Sequence, residues 1–274
     1  MPAILAKAGP GTQIFRIMQR LAEIDTVVLG SRSPRRRELL ALLVPEERIV
    51  VVPPRSAEEP GFDELDDRGA ILARLRDIAR AKCDDALAQW RAEGFSPPAL
   101  RGADDVHPPK ATGRLTPAAG PVIVAADTII LAEDAAGRPV VLGQPPENDA
   151  GDTVRRWFRD HLFGRTHEAI TALCLAVPDA NVPDASSRHS SLVTRHFSMR
   201  ERTVSTRVAF RDRDDELLEW YIATGEPFGK AGAYGIQGAG SLFATRIEGS
   251  LSNVVGLPLE ALREMLEESA LSPT

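Results

Sequence analysis

Short apolar runs alternate with stretches of helical periodicity along most of the chain. Runs rich in Val, Ile and Leu predict strands at 26–29, 48–52, 122–131, 166–177, 203–210 and 242–247. Apolar residues spaced three and four apart predict helices at 34–43, 64–90, 152–162, 214–223 and 259–266. Because strands and helices alternate throughout, the pattern predicts an α/β fold.

Three segments lack this periodicity. Residues 1–24 carry only a short amphipathic stretch and are interpreted as an N-terminal extension. The segment near 94–120 is rich in Pro and Gly, and the segment near 178–191 is rich in Ser, Pro and Asp. Both compositions are typical of surface insertions. The length of 274 residues accommodates one large domain or two ordinary ones.

Composition and charge exclude several classes of protein. The chain has 33 Lys and Arg against 39 Asp and Glu, a net charge of −6, which argues against a protein that coats nucleic acid. It has neither a run of about 20 apolar residues nor the apolar core of a signal peptide, so we expect no membrane span and no secretion. Cys83 and Cys174 are far apart and lack CxxC spacing. We therefore expect a cytoplasmic protein without a disulfide framework or a structural zinc site.

The segment Ser31–Arg37 joins a predicted strand to a predicted helix. Ser33 and Pro34 form a suitable helix start, as N-cap and first helical residue. The arginines that follow are each unfavourable by roughly a few tenths of a kcal/mol, because a helix N-terminus carries a partial positive charge. A bound anion would offset this cost, since N–H groups, hydroxyls and guanidinium groups together bind phosphate oxygens. The alternative is a solvated charge run on a surface helix.

Two charged residues interrupt apolar patterns. Asp127 lies inside the strand predicted at 122–131, where an uncompensated carboxylate costs several kcal/mol. A divalent metal or a catalytic water would compensate it; the alternative is an Asp that caps a turn at a strand end. Lys82 continues the helical stripe of Ile71, Leu75 and Ile78. Such a lysine either extends to solvent or points into a polar cleft, and the spacing leaves both open.

A glycine-rich segment over 229–240 is the last candidate. Its glycines would let the backbone approach a ligand closely, but it lacks the spacing of a Walker loop and no helix follows it. A flexible loop is the alternative, and spacing does not decide between them. The histidines form no HExxH motif, and His167, at the start of a strand, is interpreted as structural. A GxSxG nucleophile motif is also absent from the sequence.

Several motifs in order resemble the Maf family of nucleoside triphosphate pyrophosphatases. The matching segments are Gly30–Arg36, Ala126–Thr128, Gly164–Glu168, Lys230–Gly238, Arg246–Gly249 and Ser252–Pro258. The resemblance covers about residues 26–268 without the two insertions. It implies a mixed central sheet of elongated shape, flanked by helices and with a deep cleft, similar to inosine triphosphate pyrophosphatases. It also implies one catalytic domain over 25–274 that carries the insertions and follows the extension.

The resemblance further implies the reaction and the residues that perform it. The substrate would be a nucleoside triphosphate, cleaved to the monophosphate and pyrophosphate with a divalent metal, Mg²⁺ or Mn²⁺. Asp127 corresponds to the general base and also to a metal ligand. The second metal ligand corresponds to Glu58, although the local match is loose and Glu59 is the alternative. The residues that correspond to substrate-binding positions are Ser31, Arg35, Arg36, Lys82, Thr128, Lys230 and Gln237.

Sequence details around the implied site refine the expectation. Arg35, Thr128 and Gln237 resemble the subgroup that hydrolyses dTTP and UTP. Gln144 stands where the family has a lysine, which removes a positive charge near the phosphates. That change favours an alternative, a nucleotide-binding regulator of cell division with little turnover. Neither hypothesis involves a membrane or a nucleic acid, and a homodimer is compatible with both.

Overall fold

A seven-stranded mixed sheet forms the centre of the protein, in a computed structural model that describes residues 26–56, 59–93, 120–179 and 196–271. The strands are β1 (Val27–Leu29), β2 (Ile49–Val51), β3 (Val122–Glu133), β4 (Pro139–Leu142), β5 (Thr166–Pro178), β6 (Phe197–Phe210) and β7 (Ala244–Glu248). Their order is β2-β1-β3-β5-β6-β7, with β4 paired to the carboxyl end of β3. The extension predicted at 1–24 and most of both predicted insertions lie outside the described residues.

The sheet changes from parallel to antiparallel at β3. β1 pairs in parallel with β2 and β3, whereas β5 runs antiparallel to β3 and to β6. β6 begins earlier than predicted, at Phe197, because it pairs with β5 from that residue onward. β3 ends two residues later than predicted because Ala132 and Glu133 pair with β4. β4 was not predicted, since four residues are too few to show a period. It exists because the chain turns back after Asp134 and pairs Val141 with Leu131.

Helices cover both faces of the sheet, so the fold is α/β as predicted. They are α1 (Pro34–Leu40), α2 (Arg68–Glu93), α3 (Ala150–Trp157), α4 (Asp215–Ala223), α5 (Leu251–Val255) and α6 (Leu259–Leu271). Successive residues of β3 point to opposite faces. Val124 packs in a core with Leu40 of α1 and Leu262 of α6. Its neighbour Ile123 packs in a second core with Leu75 of α2.

A third core lies against the other half of the sheet and holds several aromatic rings. The ring centroids of Phe158 and Phe243 are 4.9 Å apart, and those of Tyr221 and Phe243 are 5.2 Å apart. Phe158 begins a π-helical turn that extends α3 to Leu162. Gly164 follows with a φ of 64°, which ends this helical segment at the predicted position. This core supports α4 and the loop after it, which carry part of the site.

Both cysteines are free and buried between α2 and the sheet. A hydrogen bond to Cys174 and burial together raise the pKa of the Cys83 thiol. Among the described residues, no helix combines the length and the apolar character that a membrane span requires.

Candidate active site

A cleft of about 800 Å³ brings the predicted residues together. It lies beyond the carboxyl ends of β1 and β2 and against the middle of β3, as ligand sites of α/β sheets commonly do. The predicted site residues that line it are Ser31, Arg35, Arg36, Lys82, Asp127, Thr128, Lys230 and Gln237. Glu58 lies outside the described residues, whereas the alternative Glu59 lines the cleft, as does Gln144.

Lys82 connects two carboxylates at the floor of this cleft. Its Nζ lies 2.6 Å from Asp127 Oδ1 and 2.7 Å from Glu59 Oε1. The side chains of Lys82 and Asp127 are each only 12% exposed. Burial of Ile71, the first residue of the same stripe, shows that α2 directs this face toward the sheet. The Lys82 side chain therefore points into the cleft and does not extend to solvent.

The pair of carboxylates fits the donor chemistry of a divalent cation. Asp127 and Glu59 each place one oxygen within 2.7 Å of the same cationic atom, so both can reach one ion. Mg²⁺ is usually held by one or two carboxylates together with substrate phosphates. Within the described ranges, no group of three or more His, Cys, Asp or Glu side chains converges to hold a metal.

The guanidinium group of Arg36 donates hydrogen bonds to four residues from separate segments of the chain. Its Nε donates to Gly256 O at 2.8 Å, and its Nη1 donates to Ala126 O at 2.7 Å. Nη2 donates to Thr128 Oγ1 at 3.0 Å, and Nη1 also reaches Ser31 Oγ at 3.3 Å. Burial lowers the pKa of Arg36, while the nearby Asp127 and Glu59 charges act in the opposite direction. The group thus joins α1, the middle of β3 and the end of α5, and its contacts orient Ser31 and Thr128.

Arg35 and Lys230 form the cationic side of the cleft. Burial lowers the pKa of Lys230, and the charge of Arg35 lowers it further. Both side chains line the same cleft, so a polyanionic ligand bound there can contact both. Arg35 makes no hydrogen bond or ion pair with any residue of the described segments, whereas Lys230 Nζ donates to the carbonyl oxygen of Glu226. Of these two arginines at the start of α1, Arg35 is therefore available to bind an anion, whereas Arg36 is already hydrogen-bonded to protein acceptors.

The glycine-rich segment is an ordered wall of the cleft and not the loose loop that sequence allowed. Gly232 has a φ of 67°, and a Cβ there would lie 2.6 Å from Ile130 Cγ1. Only glycine fits at this approach to β3. The end of the segment is also held in place, because the backbone N–H groups of Ala239 and Gly240 donate hydrogen bonds to the carboxylate of Glu226. Glu226 is not among the residues predicted from the sequence; its only local indication there is its place directly after the turn glycine Gly225.

His167 is buried, as its structural interpretation predicted. It is 2% exposed, and its Nε2 lies 2.9 Å from the Tyr234 hydroxyl. Burial lowers its pKa from 6.5 to about 3. The unfolded chain therefore takes up a proton below about pH 6.5 that the folded protein does not bind, so stability decreases as the pH falls.

We expect this difference to appear as a pH-dependent loss of stability. Between pH 7 and pH 5, His167 lowers the free energy of unfolding by about 2 kcal/mol. The variant His167→Gln lacks the titrating group and should lose less stability over the same interval. Urea unfolding of both proteins at the two pH values measures the difference. Equal losses in the two proteins would contradict this assignment.

Known proteins match nearly the whole chain. A profile of the family described as Maf-like protein matches residues 26–269. A dTTP/UTP pyrophosphatase of Pyrococcus furiosus is 29% identical over 241 residues, covering 88% of this chain and 94% of that protein. Another, of Anaeromyxobacter dehalogenans, is 32% identical over 244 residues, covering 89% and 93%. A third, of Thermococcus gammatolerans, is 31% identical over 241 residues, covering 88% and 95%. The matched range contains every residue that lines the cleft.

Proposed function

The chain belongs to the Maf-like protein family, and we propose on this premise that it is a nucleoside triphosphate pyrophosphatase acting on dTTP and UTP. The observation that carries the proposal is the convergence of Asp127, Glu59 and Lys82 at one point of a cleft that Arg35 and Lys230 also line. Relatives that carry the name dTTP/UTP pyrophosphatase support this choice of substrates.

In the proposed reaction, water attacks the α-phosphorus. A new bond forms between the water oxygen and phosphorus, and the bond to the oxygen that bridges the α- and β-phosphates breaks. Asp127 takes the proton of the attacking water, and the bond electrons leave with pyrophosphate. This role requires an ionised Asp127, and its Oδ1 accepts a hydrogen bond from Lys82 Nζ at 2.6 Å.

The remaining site residues bind and orient the substrate in this proposal. Arg35, Lys82 and Lys230 offset the charge of the triphosphate, because guanidinium and ammonium groups bind phosphate oxygens directly. Ser31, Thr128 and Gln237 contribute neutral hydrogen-bonding groups, and Arg36 keeps the first two in place. The proposed catalytic domain spans 25–274, with the extension and insertions attached to it.

A divalent cation, Mg²⁺ or Mn²⁺, is part of the proposal. Asp127 would hold it together with Glu59, or with Glu58, which lies outside the described residues. When bound, such an ion neutralises phosphate charge and favours ionisation of water. Lys82 now lies between the two described carboxylates, so it must share their oxygens with the ion or turn toward the substrate phosphates.

The direct test is pyrophosphate release from a panel of nucleoside triphosphates with Mg²⁺ or Mn²⁺. We expect dTTP and UTP to be cleaved faster than CTP and the purine nucleotides. A second candidate is a nucleotide-binding regulator of cell division with little turnover, which Gln144 in the cleft favours. Tight binding of dTTP without pyrophosphate release in the same assay would select the regulator.

Gln144 offers a prediction about substrate affinity. The side chain is exposed at the cleft, so Gln144→Lys adds a cation beside the polyanionic substrate. We expect KM for dTTP to fall by roughly 2- to 5-fold, corresponding to about 0.5–1 kcal/mol for an exposed charge pair. Gln144→Glu should raise KM by a similar factor, and both effects should shrink in high salt. If the two variants change KM in the same direction, charge at position 144 is not what matters.

We also propose that the protein is cytoplasmic, forms a homodimer and does not bind nucleic acid. The two buried free thiols suit a reducing compartment. The net charge of −6 gives no general attraction to nucleic acid. Light scattering on the purified protein tests the homodimer directly.

A further inference from the structure

Glu226 lies inside the turn formed by residues 235–240, which we call the glycine loop. Its Oε2 accepts from Ala239 N at 2.8 Å, and its Oε1 accepts from Gly240 N at 3.0 Å. Oε1 also accepts from the Tyr221 hydroxyl at 3.3 Å. Each oxygen of this half-buried carboxylate therefore accepts a hydrogen bond from the backbone of the loop, as an anion does when N–H groups hold it.

Tyr221 connects the same carboxylate to the beginning of the loop. Its hydroxyl accepts from Gly235 N at 3.1 Å while it donates to Glu226. The tyrosine is fully buried in the aromatic core, and burial is the main cause that raises its pKa. The loop is thus anchored at both ends, by Tyr221 at Gly235 and by Glu226 at Ala239 and Gly240.

The glycines of the loop are explained by this arrangement. A Cβ at Gly238 would lie 2.4 Å from Glu226 Oε2, and one at Gly235 would lie 2.8 Å from Oε1. A Cβ at Gly240 would lie 2.9 Å from the Tyr221 hydroxyl. The loop can close around the carboxylate only because three of its positions have no side chain.

The part of the glycine loop that faces the cleft is apolar and neutral, unlike the cationic residues proposed to bind the phosphates. Ile236 and Gln237 line the cleft there, together with Ile130 and Val254. Apolar walls with a few oriented polar groups suit a nucleobase or a sugar, whereas the phosphates require the cations described above. The position of the Gln237 side chain depends on the backbone that Glu226 holds.

We propose that Glu226 is a positioning residue that orients the glycine loop for recognition of the nucleoside part of the substrate. The proposal rests on the proposed function and adds to it a residue that determines affinity for the nucleoside without touching the reacting atoms. A carboxylate is needed because it presents an acceptor on both oxygens. A glutamine of the same shape presents only one, and its amide group would face a backbone N–H.

The test compares Glu226→Gln with the matched control Glu216→Gln, an exposed position on α4. Inorganic tripolyphosphate, which lacks a nucleoside, serves as a competitive inhibitor. For Glu226→Gln we expect KM for dTTP to rise about 10-fold, with kcat and the inhibition constant of tripolyphosphate each within about 2-fold of wild type. The control should match wild type in all three.

Several outcomes would overturn the proposal. One is an unchanged KM for dTTP; another is an equal loss of dTTP and tripolyphosphate affinity, which indicates a general structural role. If Glu226→Gln does not fold, Tyr221→Phe removes one anchor and should raise KM for dTTP in the same selective way by about 3-fold. If wild type releases no pyrophosphate, the proposed function fails. Equilibrium dialysis of dTTP and tripolyphosphate then tests the positioning role alone.

Discussion

Asp127→Asn should lower kcat for pyrophosphate release by about 10²- to 10⁴-fold, the range that a general base contributes. Asparagine keeps the shape of the side chain and can still accept a hydrogen bond from Lys82 Nζ. It cannot take a proton from water, and it removes one of the two charges available to a divalent cation. We therefore expect folding to be preserved and the chemical step to be lost.

The control for this variant lies on the same strand. Glu133→Gln changes an exposed carboxylate at the end of β3, outside the cleft, and should leave kcat within 2-fold of wild type. Titration with dTTP should show that Asp127→Asn still binds nucleotide. Full turnover by Asp127→Asn would exclude it as the base. Loss of folding would instead show that the Asp127–Lys82 pair is needed for the structure.

Arg36→Lys should reduce the free energy of unfolding by about 3 kcal/mol. A lysine has one nitrogen in place of the guanidinium fork, so at least two of the four contacts are lost, at about 1.5 kcal/mol each. The acceptors left behind include the carbonyl groups of Ala126 and Gly256, both within the buried region that Arg36 fills. For a domain of this size the midpoint of thermal unfolding should fall by about 6–12 °C.

Arg37→Lys is the matched control, because Arg37 is the next residue of α1 and forms an exposed pair with Glu46. It should change stability by less than about 0.5 kcal/mol. The motif resemblance implies that Arg36 binds substrate, and this role and the structural one predict different effects of Arg36→Lys. If Arg36 mainly contacts phosphate, Arg36→Lys should raise KM while the thermal midpoint stays near that of wild type.

The motifs predicted most of the residues that the structure brings together in the cleft, but they could not separate the contacts of the individual basic residues. Ser31–Arg37 contains four arginines, and only the fold shows that Arg36 turns inward to Gly256 while Arg35 faces the cleft. Local spacing could not separate them, because adjacent residues of a helix differ by about 100° in direction and no period is visible in a run of like charges. Lys82 was ambiguous for a different reason: its helical stripe was clear, but a long lysine side chain on such a stripe can extend to solvent or point into a cleft.

What the sequence by itself determined is the α/β alternation, the strands around Asp127 and the family to which the motifs correspond. These follow from periodicities of two and 3.6 residues and from short motifs, which are local properties of the chain. The tertiary structure alone decided that Lys82 joins Asp127 to Glu59, that Arg36 ties Gly256 to β3, and that Glu226 holds the glycine loop. Each of the first two pairings joins residues far apart along the chain, and Glu226 reaches Ala239 across a turn. Such hydrogen bonds and ion pairs form only where the folded sheet places distant strands and loops side by side. A local sequence pattern carries no information on that placement.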